Sequence, residues 1–252
     1  MQADQSSKRP LLSIVIPALN EGRRLPISLP KIDAFLKQQP YQSEVIVVEN
    51  GSIDNTVQVV ENFAKDHPYV RLIAGVERGK GRAVRRGMLE AQGEYRFICD
   101  ADLSMPIEEL ARFLPPQLDH YDVAIGTREG KGAHRYNEPA YRHLMGRISN
   151  FMVKLIAVRG FEDTQCGFKS FHYKAAEDIF SVARINGIGF DIELLYIAQK
   201  RGYKIVEVPI DWYFDADSRM RMVDDSLDIF REMIDIRRNW NKGLYKKRSP
   251  SG

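Results

Sequence analysis

An α/β fold, with a mostly parallel sheet flanked by helices, is what this sequence predicts, and three observations predict it. Short β-branched runs alternate with longer stretches of helical periodicity through the first half of the chain. Those runs end in loops rich in Gly, Asn, Asp or Ser, the arrangement in which parallel strands offer their carboxyl ends to a ligand. The 252 residues are 44% hydrophobic and 28% charged, a soluble globular balance unlike that of a disordered or fibrous chain, and long enough to bury a core without staples.

The elements follow in order. Residues 11–16 form a buried strand ended by Pro17, and a helix runs from about 26 to 38. Residues 44–48 are a second buried strand; Gly51-Ser52 breaks it, and Ser52 or Asp54 can cap a helix through Ala64. Residues 70–74 are a third strand, and 79–91 read as a glycine-rich turn feeding a helix. A fourth strand over 95–99 ends at Asp100; Pro106 opens a helix that Pro115-Pro116 stops, and 122–126 form a fifth strand. Further on, Leu144, Ile148, Phe151 and Leu155 recur at helical spacing among Arg142, Arg147, Lys154 and Arg159. A short strand over 168–171, helices over 173–182 and 191–200, and a strand over 205–210 come next. The last element is an amphipathic C-terminal helix from 223 to about 240, with Val223, Leu227, Phe230 and Ile234 apolar. There is no internal repeat or linker, so one domain with frayed ends is expected.

Composition narrows the chemistry. Cys99 and Cys166 are the only cysteines and have no metal-type spacing around them, which argues against a disulfide scaffold or structural zinc and fits a reducing compartment. The five histidines are scattered. The net charge of +3 gives no support to wholesale nucleic-acid coating, and no nucleic-acid partner is expected.

Four constellations remain. In Asp100-Ala101-Asp102-Leu103-Ser104 a strand lifts two carboxylates to its carboxyl end, where they suit a hard divalent cation; the alternative is a pair of loop acids, one capping the next helix. Pro17-Ala18-Leu19-Asn20-Glu21 and Glu49-Asn50-Gly51-Ser52 put polar side chains at a sheet edge where a nucleotide can lie, or serve as caps and turns. Five of the nine residues from Arg78 to Arg86 are basic and two are glycine, a composition suited to phosphate; yet Gly81 follows Lys80, which excludes a P-loop, and a solvated basic face is the rival. Finally, Asp163, Asp191 and Glu193 are candidates for acid/base or acceptor-orienting work, or are helix caps.

Together these motifs, with Gly126-Thr127-Arg128 and Asp163-Thr164-Gln165-Cys166-Gly167-Phe168-Lys169, resemble the family 2 glycosyltransferases of GT-A fold, and most closely the dolichyl- or polyprenyl-phosphate glucosyltransferase and mannosyltransferase branch. The resemblance covers roughly residues 11–219 and rests on the order and spacing of the pieces. It implies a nucleotide-sugar donor, UDP-glucose ahead of GDP-mannose, held by Pro17, Ala18, Asn20, Glu21, Val48, Glu49, Asn50, Lys80, Asp100 and Ala101. It implies Mg²⁺ or Mn²⁺ at Asp100, Asp102 and Ser104, with Asp102 the direct ligand. It places Arg128 and Arg219 at the donor diphosphate or the acceptor phosphate, and a polyprenyl-type lipid phosphate as acceptor. The implied division is a flexible tail over 1–10, one domain over 11–240 with its nucleotide half at about 11–128 and its acceptor half at about 129–240, and a basic tail over 241–252. Two departures stand out: Glu49-Asn50-Gly51-Ser52 replaces the usual Asp-Asp-Gly-Ser, and Arg82 replaces a small residue.

The acceptor decides what catalysis needs. An inverting transfer to a hydroxyl requires a base, which Asp191 or Glu193 must then supply. A phosphomonoester, whose second pKa is about 6, is already largely ionised and needs steering cations instead. A transferase of the same fold acting on a soluble or glycan hydroxyl is therefore the alternative. Residues 1–10 are polar, and no apolar run reaches the roughly 20 residues a bilayer requires, so a cytoplasmic location is expected. Six basic residues between Arg237 and Arg248, interleaved with Trp240, Leu244 and Tyr245, suit peripheral contact with the membrane's cytoplasmic face; core packing and a loose tail are the plain alternative.

Overall fold

The computed structural model describes residues 9–158, 160–215 and 222–246. Strands β1 (Leu12–Ala18), β2 (Ser43–Glu49), β3 (Val70–Ile73), β4 (Tyr95–Ile98) and β5 (Val123–Thr127) alternate with helices α1 (Leu25–Leu36), α2 (Thr56–Asp66) and α3 (Lys80–Glu90). Then follow β6 (His134–Tyr136), α4 (Ala140–Ile156), β7 (Lys169–His172), α5 (Tyr173–Phe180), α6 (Phe190–Lys200), β8 (Ile205–Pro209), β9 (Asp211–Tyr213) and α7 (Met222–Asn241).

Seven strands form one sheet in the order β3-β2-β1-β4-β7-β5-β8, all parallel except β7, which runs against both neighbours. Side chains alternate across it. Leu12, Ile14 and Ile16 of β1 join a core under α1, while Val15 joins the opposite core under α3, α5, α6 and α7. Burial on both faces explains why β1 and β2 read as nearly unbroken apolar runs. From β1 the chain builds outward to β2 and β3 and then returns to β4 on the other side. The order therefore reverses between β1 and β4, where α/β sheets open a crevice at their carboxyl edge.

Three local outcomes differ from the sequence reading. Residues 107–113 form a 3-10 helix rather than an α-helix. Its buried side chains, Ile107, Leu110 and Phe113, recur every third residue, the period of that tighter helix, and Pro106 and Pro115 leave it little length. The two-stranded parallel ribbon of β6 and β9 went unread because three residues are too few to show a period. On α7 the buried seam is Ile229, Met233 and Ile236, whereas Leu227 and Phe230 are exposed, so the helix carries a second apolar stripe.

The same feature recurs on α4, which packs against α7 through Val153 and Ile156 in the shared core. Its outward side leaves Tyr141, Leu144, Met145, Ile148, Phe151 and Met152 exposed, with Phe151 at 66%. Among the described residues no helix is long and apolar enough to cross a membrane.

Candidate functional site

The ends of β2, β1 and β4 lie side by side, with Ala18 opposite Glu49 and Val15 opposite Ile98. Three motifs far apart in sequence therefore open onto one crevice. The first two loops are stitched together: the Asn20 N–H donates to Ser52 Oγ (2.9 Å), the Ile53 N–H to Asn20 Oδ1 (2.8 Å), and the Glu21 N–H to Thr56 Oγ1 (2.8 Å). Asn20 holds a positive φ of 55°, which asparagine tolerates better than most residues. Pro17 and Val48 lie within the paired strands, and Ala18 accepts the Asn50 N–H (3.1 Å).

Glu49 and Asn50 divide the work. The Glu49 carboxylate accepts the N–H groups of Gly51 (2.6 Å), Ser52 and Gly75 (3.2 Å). Burial raises its pKa, but these donors outweigh that and keep it below the ordinary carboxylate range. Its oxygens are thus engaged in holding the turn. Asn50 is 3% exposed, and its Oδ1 has no partner, an acceptor left for a ligand.

At the β4 end, Ala101 is buried and Asp100 and Asp102 flank it. Lys80, the first residue of α3, reaches Asp100 Oδ1 at 2.6 Å. Burial disfavours its charge, but Asp100 and Asp191 raise its pKa and keep it an ammonium. Asp102 accepts the Ser104 N–H (2.9 Å), and burial together with the Asp100 charge pushes its pKa up. Two carboxylates forced together in this way favour a cation between them. Among the described residues no group of three or more His, Cys, Asp or Glu gathers as a complete metal cage. The pair nevertheless fits a hard divalent ion, which Asp100 and Asp102 would hold through their carboxylate oxygens. Of Ser104 the structure engages the backbone on both sides, since its carbonyl also accepts the Tyr213 N–H (2.7 Å).

The motif from Asp163 to Lys169 forms the opposite wall. A Cβ at Gly167 would lie 2.3 Å from Asp100 Oδ2, so a side chain here would displace the carboxylate from its present position. Asp163 grips Arg128 in a bidentate pair (Nε–Oδ2 2.6 Å, Nη2–Oδ1 3.0 Å), and this overrides burial to bring its pKa down to about 2. The Arg128 and Arg135 guanidinium carbons each sit 5.5 Å from the Trp212 ring centroid. Cys166 is fully buried, its thiol pushed up to about 11 by burial and by Asp163, and is a packing residue.

The two candidate bases are both occupied. Lys169 Nζ lies 2.6 Å from Asp191 Oδ1 in a buried pair; burial raises the Asp191 pKa against the pull of Lys169 and Lys80. Glu193 is 0% exposed and accepts the Arg184 and Ile185 N–H groups (2.8 and 2.9 Å) and the Tyr245 hydroxyl (2.6 Å). Arg219 lies outside the described residues. One candidate escaped the sequence reading: Arg142, in the first turn of α4, whose guanidinium carbon lies 4.9 Å from the Phe214 ring centroid and whose buried Nε has no partner. Its sequence signal was only one basic residue among several along that helix; Phe214, far away in the chain, is what singles it out.

Comparison with known proteins matches residues 13–180 to the family described as glycosyl transferase family 2. A dolichyl-phosphate beta-glucosyltransferase of Trichomonas vaginalis is 34% identical over 240 residues, covering 89% of this chain and 71% of that protein. Proteins of the same description from Saccharomyces cerevisiae and Homo sapiens are each 32% identical, covering 96% and 93% of this chain and 78% and 77% of theirs. Glucosyl-3-phosphoglycerate synthase from Mycobacterium tuberculosis, crystallised with Mn²⁺, UDP and phosphoglyceric acid, superposes with a TM-score of 0.67 at 18% identity, over 96% of this chain and 81% of that one. The expected GT-A fold, with its mostly parallel sheet, is borne out.

Proposed function

The chain belongs to glycosyl transferase family 2 and is a glycosyltransferase, and from that premise we propose that it transfers glucose from UDP-glucose to a dolichyl- or polyprenyl-type phosphate with inversion at the anomeric carbon. An acceptor phosphate oxygen attacks that carbon, the bond to the donor diphosphate breaks, and UDP departs with the electron pair. Asp100 and Asp102 would hold Mg²⁺ or Mn²⁺, whose charge would offset that growing on the diphosphate. Lys80 adds a fixed cation at the same corner. Asn50 offers its unpartnered oxygen to an N–H of the base.

The observation that carries the acceptor class is the state of the two candidate bases. Asp191 gives one oxygen to Lys169, and Glu193 is buried and held by two amides and a hydroxyl, which supports an acceptor that needs no base. A phosphate needs no such base. It needs cations. Arg128 keeps N–H groups beyond those given to Asp163, Arg142 sits where α4 meets the segment after β9, and Arg219 keeps the role that the resemblance gives it. The exposed apolar sides of α4 and α7, beside Arg237, Arg238 and Lys242, suit peripheral contact with the bilayer that holds such a lipid.

The test is a donor panel of UDP-glucose, GDP-mannose and UDP-N-acetylglucosamine against a short polyprenyl phosphate and the matching polyprenol. Glycolipid is followed by mass, with and without divalent metal. The expected outcome is hexosyl lipid phosphate and UDP from UDP-glucose only when metal is present. Product on the free alcohol instead of the phosphate overturns the acceptor assignment.

A further inference from the structure

Between α5 and α6 a short strap, residues 184–189, lies between the Lys80 turn and the C-terminal part of the chain. Three of its N–H groups donate to buried or half-buried carboxylates. Arg184 and Ile185 donate to the Glu193 carboxylate, and the Gly189 N–H donates to Glu232 Oε2 of α7 (2.7 Å). A Cβ at Gly187 would stand 2.2 Å from Glu232 Oε1, so the α7 carboxylate presses directly on the strap backbone. The carbonyls at the strap's centre face the Lys80 turn. The Gly81 N–H donates to the carbonyls of Asn186 (3.0 Å) and Gly187 (3.3 Å), and a Cβ on Gly81 would meet the Ile185 carbonyl at 2.4 Å. Lys80 is thus flanked by a residue whose backbone is docked on the strap, while its own ammonium holds Asp100.

We infer that Glu232 is a positioning residue for Lys80: from α7 it fixes the strap, and the strap fixes the turn that aims Lys80 at the donor diphosphate. Glu193, with Tyr245 behind it, holds the strap's other end. The inference rests on the donor role given to Lys80. Glu232→Gln replaces one of the two acceptor oxygens by an NH2 that opposes a strap N–H instead of accepting from it, and the strap then relaxes away from Gly81. No direct contact between Glu232 and donor is needed.

Equilibrium binding of UDP with Mn²⁺, followed by calorimetry on the full chain, tests this. Glu232→Gln should weaken binding about tenfold, Lys80→Met by at least as much, and the double variant by no more than about twofold beyond Lys80→Met. Glu232→Asp, which keeps the charge, should recover part of the loss. Binding by Glu232→Gln within twofold of the unaltered protein, or an equal loss in the Lys80→Met background, overturns the inference. Absence of UDP binding by the unaltered protein, or an unchanged Kd in Lys80→Met, instead overturns the donor assignment. Should Glu232→Gln not fold, hydrogen exchange of the unaltered protein decides: UDP must slow the amides of Gly187 and Gly189 together with Gly81, and a change at Gly81 alone overturns it.

Discussion

The crevice at the ends of β1, β2 and β4 and the outward side of α4 depart from ordinary protein surfaces in opposite directions. The crevice gathers charge that burial penalises: Asp100 raises the pKa of Asp102, and Lys80 is paired with Asp100. The α4 side leaves six large apolar residues in water, where burial of each would be favourable by roughly 1.5–3 kcal/mol for the aliphatic and Phe side chains. On the proposed function, what would complete each is chemically opposite: a cation with a diphosphate in one case, hydrocarbon in the other. A donor that dissolves in water and an acceptor that does not would then be met by separate surfaces.

The sharpest way to break this contrast is to remove charge from the crevice. Asp102→Asn should lower transfer about 10³-fold, the several kcal/mol that charge neutralisation by a bound metal supplies. Its melting temperature should stay level or rise, because one of two crowded carboxylates is gone. A chelator should mimic the loss and added Mn²⁺ or Mg²⁺ should reverse it. A stable variant with full activity removes the crevice from the mechanism.

On the other surface, Leu144→Asp combined with Phe151→Asp should cut binding to anionic vesicles on the order of 100-fold, as two apolar side chains are lost to hydrocarbon. Transfer to a short, water-soluble acceptor phosphate should hold within about twofold, since both side chains stand exposed on α4. Vesicle pelleting and the two assays run side by side separate these effects. Unchanged pelleting assigns the α4 side to something other than lipid.

How much of this was legible beforehand depends on whether a local pattern had a single physical outcome. The strands β1 and β2 were readable because an unbroken β-branched run that short has few homes other than a sheet buried on both faces. The loops at their ends were readable as places for a ligand, since the parallel order dictates where strands finish. Glu49 was not: as a sequence letter it is a free acceptor, and only the fold shows three backbone N–H groups consuming it. The partners of Asp191 and Glu193 escaped for the same reason, because Lys169 and Tyr245 are brought to them by tertiary packing. For α4 and α7, helical spacing told that an apolar stripe exists but not whether core or solvent receives it; α7 turned out to have one of each.

A smaller effect separates charge that is paired from charge that waits for a ligand. Burial raises the Asp163 pKa, Arg128 lowers it more, and the net value is about 2 against an ordinary 3.8. A carboxylate with a depressed pKa stabilises the fold fully above its unfolded value and loses that contribution as pH falls through its folded value. Urea unfolding should therefore show on the order of 2 kcal/mol of stability, present above about pH 4 and lost progressively toward pH 2. Asp163→Asn should lack that acid-limb slope. A slope that persists in the variant assigns it to other carboxylates.

The smallest effect belongs to Ser104, and it bears on where the crevice ends. By resemblance this position is a metal ligand, yet the structure uses its N–H to hold Asp102 and its carbonyl to hold Tyr213, and alanine retains both. If the metal rests on the two aspartates and the donor, Ser104→Ala should change the Mn²⁺ concentration for half-maximal activity by less than about threefold. A hydroxyl that ligates or orients the ion would cost about 10–100-fold, the usual penalty for disturbing a metal's supporting shell. A metal titration of the alanine variant tells these apart, because its backbone bonds, and so the position of Asp102, are unaltered. A loss of tenfold or more would place a third protein ligand at the ion and shrink the share left to the donor's phosphates. A small one leaves the metal's remaining oxygens to the substrate, so that nucleotide and ion should then bind in mutual dependence.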